Sequence, residues 1–455
     1  MRNTTLLSRQ RWWPAAVGGA VLSIALIIAF FPVNGRTPAT MEPGQPASIP
    51  SRLASYSYLT GDVASSPPGR AVALFQHGFD VEFMDFPQAV VMGADGDAYR
   101  RVGPAEARGG AETQGDPGPM RLSSDGTLVA VGDYNANPPD LAVVDLETGD
   151  VEVKPVAGGL SILPLTWSPD SLQVAYLSTP DQVRPYTVRA ITGNIGILDL
   201  TTGESRLLPG AADARAVAFS PDGTELAIHR IPPDDPSRED PEGMPLVGGG
   251  RIDIVGSNDE LLRDIPLPPD QYLNGPNAWS PDGAFLATGV QSWGCQQLDG
   301  GWDEAEWLQC LDEVEALFFV DASGREGPVP APLKATMVGG DEVLGWLSAK
   351  ELLVFDDVEG SDKAGADSGR VFWVTAVSLD GSSSRRLTTI RDVDDYGVGG
   401  FHVATGLIPD IQVREPGTID RGRWPTAIRI SVALLCGGAA LVIANVMSGR
   451  RRRQT

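Results

Sequence analysis

The sequence predicts an all-β chain folded as a β-propeller, six-bladed with seven blades as the alternative, flanked by two transmembrane helices. Three observations predict it. A four-residue turn motif recurs through the middle of the chain at blade-like spacing. Each copy leads into alternating apolar residues and a second hairpin. An uncharged apolar run of spanning length lies near each end. Glycine (53) and proline (37) make up about a fifth of the 455 residues, which suits a fold with many turns, and an apolar fraction of 42% still allows a packed core.

Taken in chain order, residues 1–12 form a basic tip carrying Arg2, Arg9 and Arg11. Segment 13–33 follows, with Trp13 to Phe31 free of charge, long enough to cross a hydrocarbon core roughly 30 Å thick. It reads as an uncleaved anchor. A cleaved signal peptide is the alternative, although the A-x-A pattern is missing and the apolar stretch is long for one. Segment 34–54 has four prolines and no apolar periodicity, the composition of a semi-extended spacer. The propeller is assigned to 55–412, a second spacer to 413–426, the second span to 427–447 and an arginine-rich tail to 448–455. Trp12, Trp13 and Trp424 stand where indoles prefer the membrane interface. The terminal arginines outnumber those on the inner flanks (Arg36, Arg421, Arg423 and Arg429), so both tips are expected in the cytoplasm and 33–425 outside it.

The repeat is the strongest signal. Ser123-Ser124-Asp125-Gly126, Ser168-Pro169-Asp170-Ser171, Ser220-Pro221-Asp222-Gly223 and Ser280-Pro281-Asp282-Gly283 share one grammar, with a degenerate copy near Val343. Serine at the first position, proline at the second and glycine at the fourth are type I turn preferences. Period-2 apolar residues follow, as at Leu226 and Ile228, and then a second polar turn, so each unit supplies about four antiparallel strands. The turns lie about 45, 52 and 60 residues apart, and blades are expected near 119–157, 161–209, 214–269, 274–334 and 341–391. A further blade is expected over 56–105, completed by a late strand at Gly400–Ile408 that latches the ring. No unit can bury both faces alone; stacking around an axis buries them.

The aromatic-S-P-D-G turns at 219–223 and 279–283, with their variants at 167–171 and 122–126, resemble the WD-like propeller repeats of the TolB family over roughly residues 120–390. The resemblance implies a six-bladed extracytoplasmic module that binds proteins. The chain departs from that family in lacking an evident amino-terminal α/β domain and in carrying two apolar segments.

Charge narrows the partners. The net charge is −24, no acid precedes Glu42 or follows Asp420, and the seven arginines of the tips set aside leave 28 basic side chains against 59 acidic ones. Such a surface repels nucleic acid and favours cationic partners, metal ions or simple solubility. The histidines, His77, His229 and His402, fall in separate predicted strands without metal-ligand spacing. There is no nucleophile elbow, no P-loop and no dinucleotide fingerprint. The repeated aspartates are explained by local backbone hydrogen bonds. Acid clusters at Asp234-Asp235, Glu239-Asp240 and Asp392 to Asp395 lack the rest of a calcium loop. No catalytic residue, metal site or cofactor is therefore expected.

The most distinctive stretch is 292–315. Cys295 and Cys310 form a candidate disulfide, with two free thiols as the alternative, and Trp293, Trp302 and Trp307 are candidate contact anchors or, equally, the packing of a long insertion. The expected function is a non-catalytic, membrane-anchored interaction module for an envelope protein or cell-wall component. An envelope sensor is the second reading, and a propeller hydrolase or lyase the third.

Overall fold

The computed structural model describes residues 46–79, 88–109, 116–183, 191–210, 213–231, 248–290, 314–324, 328–338, 343–358, 371–391 and 397–451. Six four-stranded antiparallel sheets follow one another. Blade 2 holds β5 (Met120–Leu122), β6 (Leu128–Val131), β7 (Asp140–Asp145) and β8 (Val151–Pro155). Blade 3 holds β9 (Ser161–Trp167), β10 (Gln173–Thr179), β11 (Asn194–Asp199) and β12 (Ser205–Leu207). Blade 4 holds β13 (Ala214–Phe219), β14 (Glu225–Arg230), β15 (Arg251–Gly256) and β16 (Leu261–Pro266). Blade 5 holds β17 (Gln271–Leu273), β18 (Phe285–Val290), β19 (Glu315–Asp321) and β20 (Leu333–Lys334). Blade 6 holds β21 (Val343–Ser348), β22 (Glu351–Val358), β23 (Val371–Ser378) and β24 (Ser384–Arg391).

Blade 1 is composite. β2 (Ala71–Phe79), β3 (Gln88–Gly93) and β4 (Tyr99–Arg101) come from the start of the domain, and β25 (Gly397–Val403) supplies the innermost strand from its end. The pairing sets Leu74 opposite His402 and Ala73 opposite Val403. The expected latch is thus present, and the ring has six blades.

The alternation read from the sequence does not become half-buried strands. Every residue of β18 is buried, and in β6, β10 and β14 all but the first are. Both faces of a blade's second strand are covered, because each blade is sandwiched between two others. The outermost strands β8, β12 and β16 carry most of the exposure. Buried apolar side chains accordingly gather in clusters that each span neighbouring blades. Each fully buried Val, Leu, Ile or Phe contributes roughly 1.5–3 kcal/mol there.

Two devices join the blades near the axis. Ala73, Ala130, Ala175, Ala227 and Ala287 sit near the start of the second strand of blades 1 to 5, all fully buried, and a methyl group lets adjoining sheets approach closely. The indole just before the turn also reaches back to the preceding blade. Trp167 Nε1 donates to Arg121 O at 3.0 Å, Trp279 Nε1 to Ala218 O at 3.0 Å, and Trp346 Nε1 to Asn277 O at 2.9 Å. Phe219, Leu122 and Ala404 hold the corresponding places in blades 4, 2 and 1 and carry no side-chain donor. Where blade 6 meets blade 1, an aromatic ladder stands instead. Phe372 stacks on Phe355 (5.6 Å between ring centres), Phe355 on Phe401 (5.1 Å) and Phe401 on Phe75 (5.5 Å).

The described part of the expected first spacer, 46–54, belongs to the propeller. β1 (Ser48–Pro50) pairs in parallel with β26 (Gln412–Arg414), and Ala47, Ile49 and Leu53 are buried in the core. The second expected spacer is likewise docked. Asp420 lies in parallel register with Ala98, and Arg100 donates to its backbone oxygen at 2.7 Å and its carboxylate at 2.9 Å. Arg414 bridges to Asp97 at 2.8 Å, and Gly417 N also donates to that carboxylate. Proline content signalled extension correctly, but an extended segment with apolar residues can also serve as an added strand on a sheet edge.

Three α-helices are described: α1 (Gly103–Ala107), α2 (Ala335–Val338) and α3 (Thr426–Arg451). The first apolar run lies outside the described residues. α3 covers the second as helix, with Leu434, Leu435, Val442 and Val446 exposed, while side chains at 440–441, 443–445 and 447–451 lie outside the description. Among the described residues no helix is long and apolar enough to cross a membrane.

Candidate functional site

In a four-stranded antiparallel meander the first and third connections fall on one face, and the second, together with the step to the next blade, falls on the other. Nearly all the tight turns of this chain share the first face: 94–98, 123–127, 146–150, 168–172, 200–204, 220–224, 257–260, 349–350 and 379–383. At the opposite face the second strands end, at Phe79, Val131, Thr179, Arg230, Val290 and Val358, and the third strands begin, at Gln88, Asp140, Asn194, Arg251, Glu315 and Val371. One face is therefore closed mostly by short turns, blade 5's connections 274–284 and 322–332 excepted, and the longest connections leave from the other.

The motif residues build the closed face. In each copy the serine Oγ donates to the aspartate: Ser123 to Asp125 (2.7 Å), Ser168 to Asp170 (2.6 Å), Ser220 to Asp222 (2.7 Å) and Ser280 to Asp282 (2.6 Å). The same carboxylate oxygen accepts from the backbone two residues on, at Thr127, Leu172, Thr224 and Ala284 (3.0–3.1 Å). These bonds hold the Asp222 and Asp282 carboxyls below the usual range, the serine bond being the largest cause. Gly126, Gly223 and Gly283 have φ of +77°, +72° and +70°. Ser171 takes the same left-handed conformation at +61°, and its Oγ accepts from Asp125 N at 3.1 Å in the adjoining turn. Loss of the glycine in that copy thus comes with a bond between neighbouring blades. Pro169 likewise lies against Gly223. The aspartates are spent on these turns, and among the described residues no group of three His, Cys, Asp or Glu side chains could hold a metal.

Near the axis Arg121, on β5, braces three blades. Its Nη1 lies 2.7 Å from His402 Nδ1 and 2.8 Å from Nε2, and its Nε donates to Leu165 O at 2.9 Å. Gln76 donates to the buried Asp116 carboxylate at 2.9 Å. Burial and then the guanidinium hold the His402 imidazole neutral, well below its ordinary range. Burial pushes the Tyr134 phenol up, and Asp116 adds to this while Arg121 opposes it. A neutral imidazole thus lies against a cation here, beside a phenol that resists ionisation. Composition and spacing gave no sign of it, since Arg121 and His402 meet only once the ring closes.

The three histidines are not brought together. His402 belongs to the axial brace, His229 on β14 lies 2.9 Å (Nε2) from Gly249 O, and His77 on β2 lies between Phe75 of blade 1 and Tyr56 of the incoming segment. Cys295, Cys310, Trp293, Trp302 and Trp307 lie outside the described residues; the connection that holds them leaves at Val290 and re-enters at Glu315, on the face of the long connections. The acid clusters at 234–240 and 392–395 lie outside the described residues as well. Cys436, on α3, is a free and exposed thiol.

No family model matches the sequence, and no curated protein does. Among solved structures, TolB from Acinetobacter baumannii is similar at 14% identity and a TM-score of 0.38, over 71% of this chain and 67% of that one. The tricorn protease is similar at 14% identity and 0.39, over 79% of this chain and 36% of that one. The propeller domain of the Trilobed protease from Pyrococcus furiosus stands at 12% and 0.31, over 59% and 68%. The fold rests on the strand pairings themselves: the chain is a mainly β, six-bladed propeller, distantly similar in structure to TolB-like propellers.

Proposed function

We propose that the chain is a non-catalytic interaction module, held at the outer side of a membrane, whose long-connection face takes an envelope protein or a cell-wall component. The observation that carries this reading is the division of labour between the faces. Most of the short turns occupy one end of the ring, and the longest connections leave from the other. Loops set on a rigid scaffold are where recognition usually resides. Trp293, Trp302 and Trp307 add large rigid side chains to that set, and the acidic balance favours a partner with basic groups.

The anchoring part of the proposal rests on the uncharged stretch Ile430–Met447 within α3, and on the first apolar run. Protease added to sealed right-side-out vesicles is expected to digest the propeller and spare the tips. Protection of the propeller would overturn the topology. Photo-cross-linking of the intact chain in its own membrane is expected to capture a partner that Trp302→Ala and Trp307→Ala lose; unchanged capture would remove that connection from the contact surface.

A sensor is the second reading, supported by one observation. The segments leading to both apolar runs are tied to each other and to blade 1, through β1–β26 and Arg100–Asp420. Movement of that blade would be felt by both.

A further inference from the structure

The aromatic ladder between blades 6 and 1 continues beyond Phe75 into the terminal segments. His77 lies 4.8 Å from Phe75 between ring centres, and Tyr56 stacks on His77 at 6.2 Å and 19°. Tyr56 belongs to the segment entering the propeller. Arg421, from the segment leaving it, donates to Thr60 Oγ1 at 3.0 Å and to Ser55 O at 2.8 Å, while Gly61 N donates to Arg421 O at 2.7 Å. One imidazole thus stands where blade 1, the incoming segment and the outgoing segment meet.

That imidazole is poorly placed to carry a proton. His77 is 3% exposed, and among the described residues its buried Nε2 has no hydrogen-bond partner. Its cross-strand neighbours, Gln88 on β3 and Val398 on β25, bear no charge. Phe75 on its own strand is apolar, Tyr56 is a neutral phenol, and Arg421 is a cation near enough for its charge to be felt. Among the described groups facing it there is no carboxylate. Burial, and then Arg421, push the imidazole down to about 3. A proton added here is unsolvated and repelled by the guanidinium that ties the two segments together.

We propose that the junction of blade 1 with the terminal segments is an acid-labile clasp: charging His77 frees 46–62 and 412–424 from the rim of blade 1 while blades 2 to 5 stay folded. The sign follows from linkage. A histidine held neutral when closed contributes stability that is full above its ordinary value near 6.5 and is lost as pH falls toward 3. Between pH 7.5 and pH 5 the ratio of open to closed clasp rises about thirtyfold, and any closed-state value near 3 gives nearly the same figure at pH 5. The Arg121–His402 brace lies between β25 and β5, in a different interface, so its response to acid is separable from that of the clasp.

Hydrogen exchange on the full-length chain in detergent tests the clasp. After correction for intrinsic exchange, protection over 46–62 and 412–424 is expected to fall about thirtyfold from pH 7.5 to pH 5, with blade 4 (214–230) unchanged. In His77→Phe, which keeps the ring and removes the proton, protection over the two segments is expected to agree at the two pH values within about threefold. His77→Gln provides the same comparison if His77→Phe does not fold. Unaltered wild-type protection, an equal fall in every blade, or a full fall in the uncharged variants would each overturn the proposal.

Discussion

The indole bonds between blades can be tested at a single position. Trp279 is 5% exposed, its ring lies in the cluster joining blades 4, 5 and 6, and its Nε1 reaches Ala218 O at 3.0 Å. Trp279→Phe removes the donor, leaving a buried carbonyl without that partner, and removes part of the ring. The lost bond contributes about 0.5–1.5 kcal/mol net, and an unsatisfied buried acceptor raises the cost toward about 3 kcal/mol. Incomplete collapse of the space left by the smaller ring adds about 1 kcal/mol. A destabilisation of about 2–4 kcal/mol is therefore expected. Urea unfolding followed by far-ultraviolet circular dichroism measures it, as a lower midpoint at unchanged slope. Phe219 already stands at the corresponding place in blade 4 without a donor, so Phe219→Leu is expected to show a packing loss without the hydrogen-bond part. A Trp279→Phe midpoint within 0.5 kcal/mol of the parent, on the scale of a neutral surface change, would refute the idea that these bonds hold neighbouring blades together.

Three further outcomes follow from the same geometry. Ala227→Leu forces a larger side chain between closely approaching blades and is expected to destabilise by about 1–3 kcal/mol, read from the same urea curves; a neutral result would mean that the alanines are not close-packed. Asp222→Ala removes the acceptor for Ser220 and Thr224 and is expected to lower stability by about 1 kcal/mol at pH 7. Because the Asp222 carboxyl is held below its ordinary value, its contribution is present above pH 4 and is lost as pH falls through the lowered folded value, so parent and variant should converge in strong acid. Arg100→Ala empties a side chain that donates to Ser66 O at 2.6 Å, Tyr99 O at 2.9 Å and Asp420, and hydrogen exchange over 417–424 should rise at least tenfold while blade 4 is unaffected.

Much of the fold was legible because the turns are local. Ser220, Asp222 and Gly223 specify a bend through bonds spanning five residues or fewer, and four copies of such a bend locate the start of four blades. The latch was legible for a related reason: Gly400–Val403 is a strand with no sequence neighbour to pair with. What the sequence could not reveal depends on distance. Arg121 and His402 meet only through ring closure, and the role of Trp167, Trp279 and Trp346 lies in a carbonyl of another blade. The docking of 48–50 and of Asp420, inside the expected spacers 34–54 and 413–426, was not legible, because extended, proline-bearing segments read alike whether they hang free or line a sheet edge. Partner recognition stayed illegible for a simpler reason. Loops that recognise partners follow no periodic rule, so neither strand pattern nor turn chemistry constrains them.

The composite first blade has a consequence for biogenesis. Leu74 and His402, which face each other there, are more than three hundred residues apart. A chain that emerges from its amino terminus must leave that blade's inner position vacant until almost everything else has been made. Folding of the other five sheets can run ahead, but the circle is sealed last, by the slowest kind of contact to form. A chain cut short before Gly397 would keep its five finished sheets and expose the flank of β2, an open edge of the kind that seeds aggregation.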